Sequence, residues 1–309
     1  MIKLLDARQG NGCMLGLDTL ASLLIFGVLL SLEYALVALG VTIIFGLMKL
    51  INFAHGEIFM LGGYIQYYFL LWTGLNPLVA LPVSFLAGLA IGSAIERALI
   101  RPTYTTSLSK AGEYAVIITF GLSLFLQNFA LFGFGYEYRS PPALWPVTIT
   151  VGTLSISGDV VLTSVMAAVS IIAVLLFIER TWAGLSMKAV AQNLVGAQMA
   201  GIRPAWTNNV GFALGAGLAT IAGALLAHTY LVYPYDGVLP VLTAFTVVVL
   251  GGLGSIKGTL IASFIVGMAY SFLGALVSFS YVNIYGLVIL LIVLVVRPQG
   301  LFGQKERTF

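Results

Sequence analysis

The chain has 309 residues, of which 60% are hydrophobic and only 8% charged, against about 25% charged in a soluble domain. Its 14 Lys+Arg and 11 Asp+Glu cannot cover a soluble protein of this size, which excludes a soluble enzyme, a secreted scaffold and a disordered chain. The single cysteine, Cys13, excludes a disulfide framework and a thiolate zinc cluster. The net charge of +3 follows membrane topology and calls for no nucleic acid.

The apolar residues come in long runs, the signature of membrane helices of about 20 residues. Outer-membrane strands would alternate over about ten residues. Lys3 and Arg8 precede an apolar stretch at 17–48 that is far longer than a signal-peptide core, so it reads as a retained helix. The expected spans are 17–48, 54–73, 77–100, 112–134, 160–179, 206–230, 239–254, 258–279 and 284–296. The fold class is therefore all-α, a polytopic membrane helical bundle of eight to ten transmembrane helices, forming a single domain over 1–309.

The basic residues separate the two sides. Lys49, Arg97, Arg101, Lys110, Arg180, Lys188, Arg203, Lys257, Arg297, Lys305 and Arg307 fall on one side, and the intervening loops carry only Arg139. The positive-inside rule places the first set, and the C-terminus, in the cytoplasm. Loops 134–159, 231–238 and 280–283 then face outward. One long crossing by 17–48 is favoured over two short ones, since about 15 residues rise only about 22 Å.

Small residues recur every fourth position: Ala80, Ser84, Gly88 and Gly92; Gly211, Gly215, Ala219 and Gly223; Ser263, Gly267 and Ser271. Such stripes let helix backbones approach closely in lipid. Motifs for catalysis are missing. The two histidines, His55 and His228, do not form H-E-x-x-H, and Gly251-Gly252-Leu253-Gly254-Ser255-Ile256-Lys257-Gly258-Thr259 lacks the Gly-Lys-Ser/Thr order of a phosphate loop. Gly251, Gly252 and Gly254 are instead expected to interrupt a broken or re-entrant segment over 239–258, as at transporter sites.

Polar residues in apolar surroundings are functional by default. Asn52-Phe53-Ala54-His55-Gly56-Glu57 places an imidazole and a carboxylate two residues apart; they either line a path or satisfy a helix break. Thr119, Ser123 and Gln127 recur at i, i+4 and i+8 with Asn128 beside them, a face that either bonds a neighbouring helix or walls a wet cavity. Glu33 has no partner within sequence reach. Asp236, in Tyr233-Pro234-Tyr235-Asp236-Gly237, suggests a substrate contact but is expected to be a solvated loop charge. The segment 186–203 is too polar to span, and Met187, Val190, Leu194 and Ala197 share one helical face, which suits a surface helix that rests on lipid or enters a groove on another protein.

Ile51-Asn52-Phe53-Ala54-His55-Gly56-Glu57 resembles a near-signature segment of bacterial branched-chain amino acid ABC transporter permeases. The resemblance continues, in order and spacing, at Ile95-Glu96-Arg97, Arg101-Pro102, Phe125-Leu126-Gln127-Asn128, Gly201-Ile202, Ala222-Gly223, Val249 to Ile256 and Arg297 to Gly303. It resembles the shorter of the two permeases of such systems. The resemblance implies an inner-membrane importer subunit working by alternating access with a second permease, two ATP-binding subunits and a periplasmic substrate-binding protein. ATP and Mg would be bound by those partners and no cofactor by this chain. Segment 186–203 then corresponds to the coupling helix, with Lys188, Gln192, Asn193, Ala197, Gly201 and Ile202 as its coupling residues toward an ATP-binding subunit, the last three matching its small-residue and Gly-Ile pattern. Relatives commonly carry acidic residues where this chain has Gln192 and Asn193.

The path residues expected on this reading are Asn52, His55, Glu57, Thr119, Ser123 and Asn128. Related permeases move urea, short amides or small organic acids, so that substrate class stays open. A solitary ion-coupled transporter with His55 and Glu57 as a proton relay also stays open; it would have no use for a docking helix at 186–203.

Overall fold

The computed structural model describes residues 17–105, 111–151 and 154–303. Cys13, Lys3, Arg8, Lys110, Lys305 and Arg307 lie outside the described residues. Helix α1 runs unbroken over Leu17–Met48, so the first apolar run is one helix rather than two. Then come α2 (His55–Thr73), α3 (Pro77–Ile95), a π-helical turn (Glu96–Ile100), α4 (Arg101–Thr105) and α5 (Ala111–Phe134). A hairpin of β1 (Thr148–Val151) and β2 (Leu154–Ser157) leads into α6 (Gly158–Arg180), α7 (Trp182–Gln192) and α8 (Leu194–Met199). The chain continues through α9 (Pro204–Leu226), α10 (Val238–Gly251) and α11 (Ile256–Leu276), then a 3-10 turn and α12 (Val282–Val296).

Among the described residues, six stretches are long and apolar enough to cross a membrane: Thr19–Met48, Pro77–Tyr104, Gly112–Phe134, Gly158–Arg180, Pro204–Leu226 and Ile256–Leu276. The remaining expected spans correspond to α2 and to the shorter apolar helices α10 and α12. Helix ends follow local chemistry. Asn76 caps α3 by accepting from Leu78 N at 2.9 Å, with Pro77 opening the helix. Gly74 closes α2 in the left-handed conformation that glycine reaches without steric cost.

The core is built around α9, which packs against α1, α2 and α3. The small-residue stripes lie at these crossings. A Cβ at Gly88 would collide with Thr220, one at Gly92 with Ala216, and one at Gly223 with the Phe59 carbonyl. A Cβ at Gly267 would meet Ser31 on α1. Close approach maximises dispersion where no hydrophobic effect holds helices together in lipid.

One feature departs from the sequence expectation and another follows it. Within the outward loop 134–159, β1 and β2 pair antiparallel with Ile149 opposite Ile156, a short alternation inside a segment too brief to register as an element on hydropathy. Gly251 ends α10, and Gly252 and Gly254 lie in the turn that joins it to α11, so the break falls inside the expected 239–258 segment. Gly252 and Gly254 have φ of 100° and 81°, and Gly251 lies against Gly258 while Gly254 lies against Gly46 of α1. The C-terminal segment completes this turn: Leu301 N and Phe302 N donate to the carbonyls of Leu250 and Gly251 at 2.9 and 3.0 Å, supplying partners that a helix C-terminus lacks.

Candidate functional site

The α1–α2 connection folds back into the bundle. Lys49 takes a φ of 54°, uncommon for a residue with a side chain, and reverses the chain. Asn52 Oδ1 accepts from Ala54 N at 3.1 Å. Thr119 Oγ1 on α5 accepts from Phe53 N at 3.3 Å and donates to Val116 O at 3.1 Å. Helix α2 therefore begins well inside: His55 is fully buried against Gly40 of α1, a residue about 12 Å along the axis from the end of α1. Gly56 lies against Gly237, which precedes α10. Two helix N-termini thus converge within the bundle, each the positive end of a helix dipole.

From that point a polar seam runs between α2, α5 and the loops beyond. Glu57 is buried; Gln127 Nε2 donates to its Oε1 at 2.6 Å, and its Oε2 has no partner among the described residues. An unpaired buried acceptor of this kind costs about 1–3 kcal/mol. Two turns on, Tyr64 stacks on Phe134 with ring centroids 4.2 Å apart, and its buried hydroxyl is also unpartnered. Tyr68 follows on the same face, 5.1 Å from Phe134, and the Arg139 guanidinium lies 5.5 Å from the ring centres of Tyr67 and Tyr68. Arg139 is tied to the 227–237 connection by paired backbone bonds with Val232, at 2.8 and 2.9 Å.

Asp236 is half-buried rather than a freely solvated loop charge. Its Oδ1 is sequestered without a partner. Burial pushes its carboxyl up to about 7, and the negative charge of Glu57 acts in the same direction. The sequence reading missed this because a Pro-Tyr-Asp-Gly stretch looks like an exposed turn; that the turn dips to meet Gly56 is a tertiary fact.

The expected path residues divide accordingly. Asn52, Glu57, Thr119 and Ser123 are buried along the seam or at its inner end. His55 is buried beside them, with neither ring nitrogen hydrogen-bonded and no bond to Glu57. Asn128 points outward, its Nδ2 donating to Leu124 O of its own helix at 2.7 Å. Gln127, which shares the periodicity of Thr119 and Ser123, is the residue that reaches Glu57. Glu33, on α1, is buried with Oε1 unpartnered.

The basic end carries a second constellation. Segment 186–203 is two short helices, not one. Asn193 breaks them and caps α8, its Oδ1 accepting from Gly196 N at 2.8 Å. Met187, Val190 and Ala197 are buried, whereas Leu194, expected on the same face, is half exposed because the break rotates α8. Lys188, Gln192 and Asn193 are exposed. Gly201 ends α8 with φ 81°, and Ile202 N donates back to Ala197 O at 3.0 Å, a left-handed helix stop.

Beneath this segment lies a cavity of about 640 Å³ that Lys49, Tyr104, Val190 and Asn208 help to line. Beside it Glu96, fully buried, accepts from Arg101 Nη2 at 2.9 Å, from Asn209 Nδ2 at 2.7 Å and from the Tyr104 hydroxyl.

The chain matches the family described as "Branched-chain amino acid transport system / permease component" over residues 23–297. It is 32% identical to the high-affinity branched-chain amino acid transport system permease protein LivH of Escherichia coli K12, over 91% of this chain and 94% of that one. Identity to the corresponding BraD protein of Pseudomonas aeruginosa is 32%, over 92% and 95%. A probable LivH of Methanocaldococcus jannaschii is 26% identical over 87% and 88%. Among solved structures, PsaBC from Streptococcus pneumoniae in complex with Fab is similar over 97% of each chain, at 15% identity and a TM-score of 0.49.

Proposed function

We propose that this chain, which belongs to the branched-chain amino acid transport permease family, is the membrane subunit of an ATP-driven importer for branched-chain or other hydrophobic amino acids. It works in a bacterial inner membrane with its basic end, including the C-terminus, in the cytoplasm. The partners are a second permease, two ATP-binding subunits that hold ATP and Mg, and a periplasmic binding protein that delivers substrate to the opposite end.

The observation that carries this reading is the polar seam between α2 and α5. A zwitterion with an apolar side chain needs a few polar groups for its ends and an apolar wall for the rest. Glu57, Gln127, Thr119 and Ser123 supply the first, and Phe53, Phe120 and Phe245, which pack together at its inner end, the second. On this reading α7 and α8 transmit the motion of an ATP-binding subunit, with Lys188, Gln192 and Asn193 on the surface offered to it. Without carboxylates at 192 and 193, docking rests on shape and neutral hydrogen bonds.

The test is ATP hydrolysis in proteoliposomes by the complex that co-purifies with this chain. Binding protein loaded with leucine should stimulate it, and empty protein should stimulate it less. Stimulation only by urea- or amide-loaded protein would replace the substrate. Gradient-driven uptake by this chain alone, with no co-purifying ATPase, would overturn the importer reading.

A further inference from the structure

The outer half of the seam holds more unpaired polar groups than its fold requires. Glu57 Oε2, Asp236 Oδ1, Tyr64 Oη and Arg139 Nε are all buried atoms without hydrogen-bond partners among the described residues. They come from three separate stretches brought together by specific contacts. Gly56 against Gly237 sets Asp236 beside the first turn of α2. Val232 against Gly63, and Phe134 against Tyr64, hold the outer loops over the next two turns.

Helix dipoles account for a carboxylate near each helix start, but not for acceptor oxygens left bare in a water-poor interior. Two like charges within electrostatic reach of each other also raise each other's cost. A bound group with several N–H donors and a positive charge removes both penalties at once, and a primary ammonium offers three such donors.

We propose that Glu57 and Asp236, with Tyr64 two turns along α2, form a recognition site for the primary ammonium of a small zwitterion, with Arg139, whose Nη2 also bonds Phe134 O and lies 3.6 Å from Glu137, as the cation that attracts its carboxylate. The proposal deepens the importer reading and rests on it for the identity of the zwitterion as an apolar amino acid. Asp236 and Glu57 become the residues that discriminate an amino acid from an acid or amide of the same shape. Such discrimination by a site built to receive N–H donors is strong, because an analogue lacking them leaves the acceptors unpaired. The groups facing Asp236 are Glu57 and Tyr64 from α2 and Tyr233 from its own loop, with Arg139 facing Tyr64.

The test uses the chain purified with its accompanying subunits in lipid nanodiscs, with no binding protein present, and calorimetric titration of four ligands. Leucine and 3-methylbutylamine should bind, the amine more weakly for want of a carboxylate, while 4-methylpentanoate and potassium should not. Asp236→Asn should weaken both amines about tenfold or more, the scale of a lost charge-assisted bond, and Asp236→Glu should restore part of that loss. Equal binding of leucine and 4-methylpentanoate, no amine binding up to millimolar concentration, or binding of potassium in place of the amines would each overturn the proposal, without any variant having to fold. Amine binding that depends on Asp236 in a complex incapable of ATP-driven uptake would uphold the site and sink the importer reading. ATP-driven leucine uptake with no amine preference at the site would do the reverse.

Discussion

Glu96 and Glu57 are both buried carboxylates near the ends of helical segments, at 0% and 4% exposure, but their surroundings differ. Glu96 is enclosed by Arg101, Tyr104 and Asn209, with both oxygens bonded. Glu57 has Gln127 on one oxygen and nothing on the other. The first arrangement is complete within the chain and ties the π-helical turn to the start of α9. The second is incomplete, and an interior that leaves a carboxylate oxygen bare retains it at a cost to stability. Burial alone therefore does not mark a site in a membrane protein; a deficit of partners does.

Substitutions separate the two directly. Glu96→Ala should be the most damaging, about 3 kcal/mol of stability, the lower end for one partner removed from a buried ion pair because the Arg101 side chain is 33% exposed. It should appear as a large loss of thermal stability in detergent. Gln127→Leu should cost about 1–3 kcal/mol by leaving Glu57 without its remaining partner; a change much smaller than this would mean that the seam is already wet. Glu57→Gln keeps an acceptor for Gln127, so stability should shift by less than about 1 kcal/mol while uptake by the assembled complex falls about tenfold or more. An uptake loss no greater than the loss of folded protein would make Glu57 a structural residue like Glu96.

A separate effect is on pH dependence. The Asp236 carboxyl is raised from 3.8 to about 7, so the folded chain holds that proton more tightly than the unfolded chain. Its contribution to stability is fully present below about 4 and is lost as pH rises through about 7. Thermal unfolding followed across this range should show the decline in the wild type and a flatter profile in Asp236→Asn; identical slopes would show that Asp236 is solvated.

Much of the bundle was legible without coordinates. Apolar runs, the one-sided placement of basic residues and the four-residue stripes of small side chains are local patterns, and Gly88, Gly92, Gly223 and Gly267 stand at helix crossings as those patterns require. The periodicity of Thr119, Ser123 and Gln127 likewise marked one face of α5. Other assignments depended on what stands opposite. Asn128 differs from Gln127 by one position, about 100° around the helix, and only the docking of α2 decides which of them meets Glu57. Leu194 carried the right spacing for a buried face, yet Asn193 capped a new helix and turned it outward.

The sequence by itself determined that the chain is a helical membrane bundle and which family it resembles, because helix length, hydropathy and motif order are properties of the chain read locally. The tertiary structure alone decided that α2 and α10 begin inside the bundle, that residues 301 and 302 close the turn after α10, and that Asp236 lies beside Glu57. Those outcomes depend on backbones approaching across large sequence separations, and no local pattern records how far a loop dips before its helix begins.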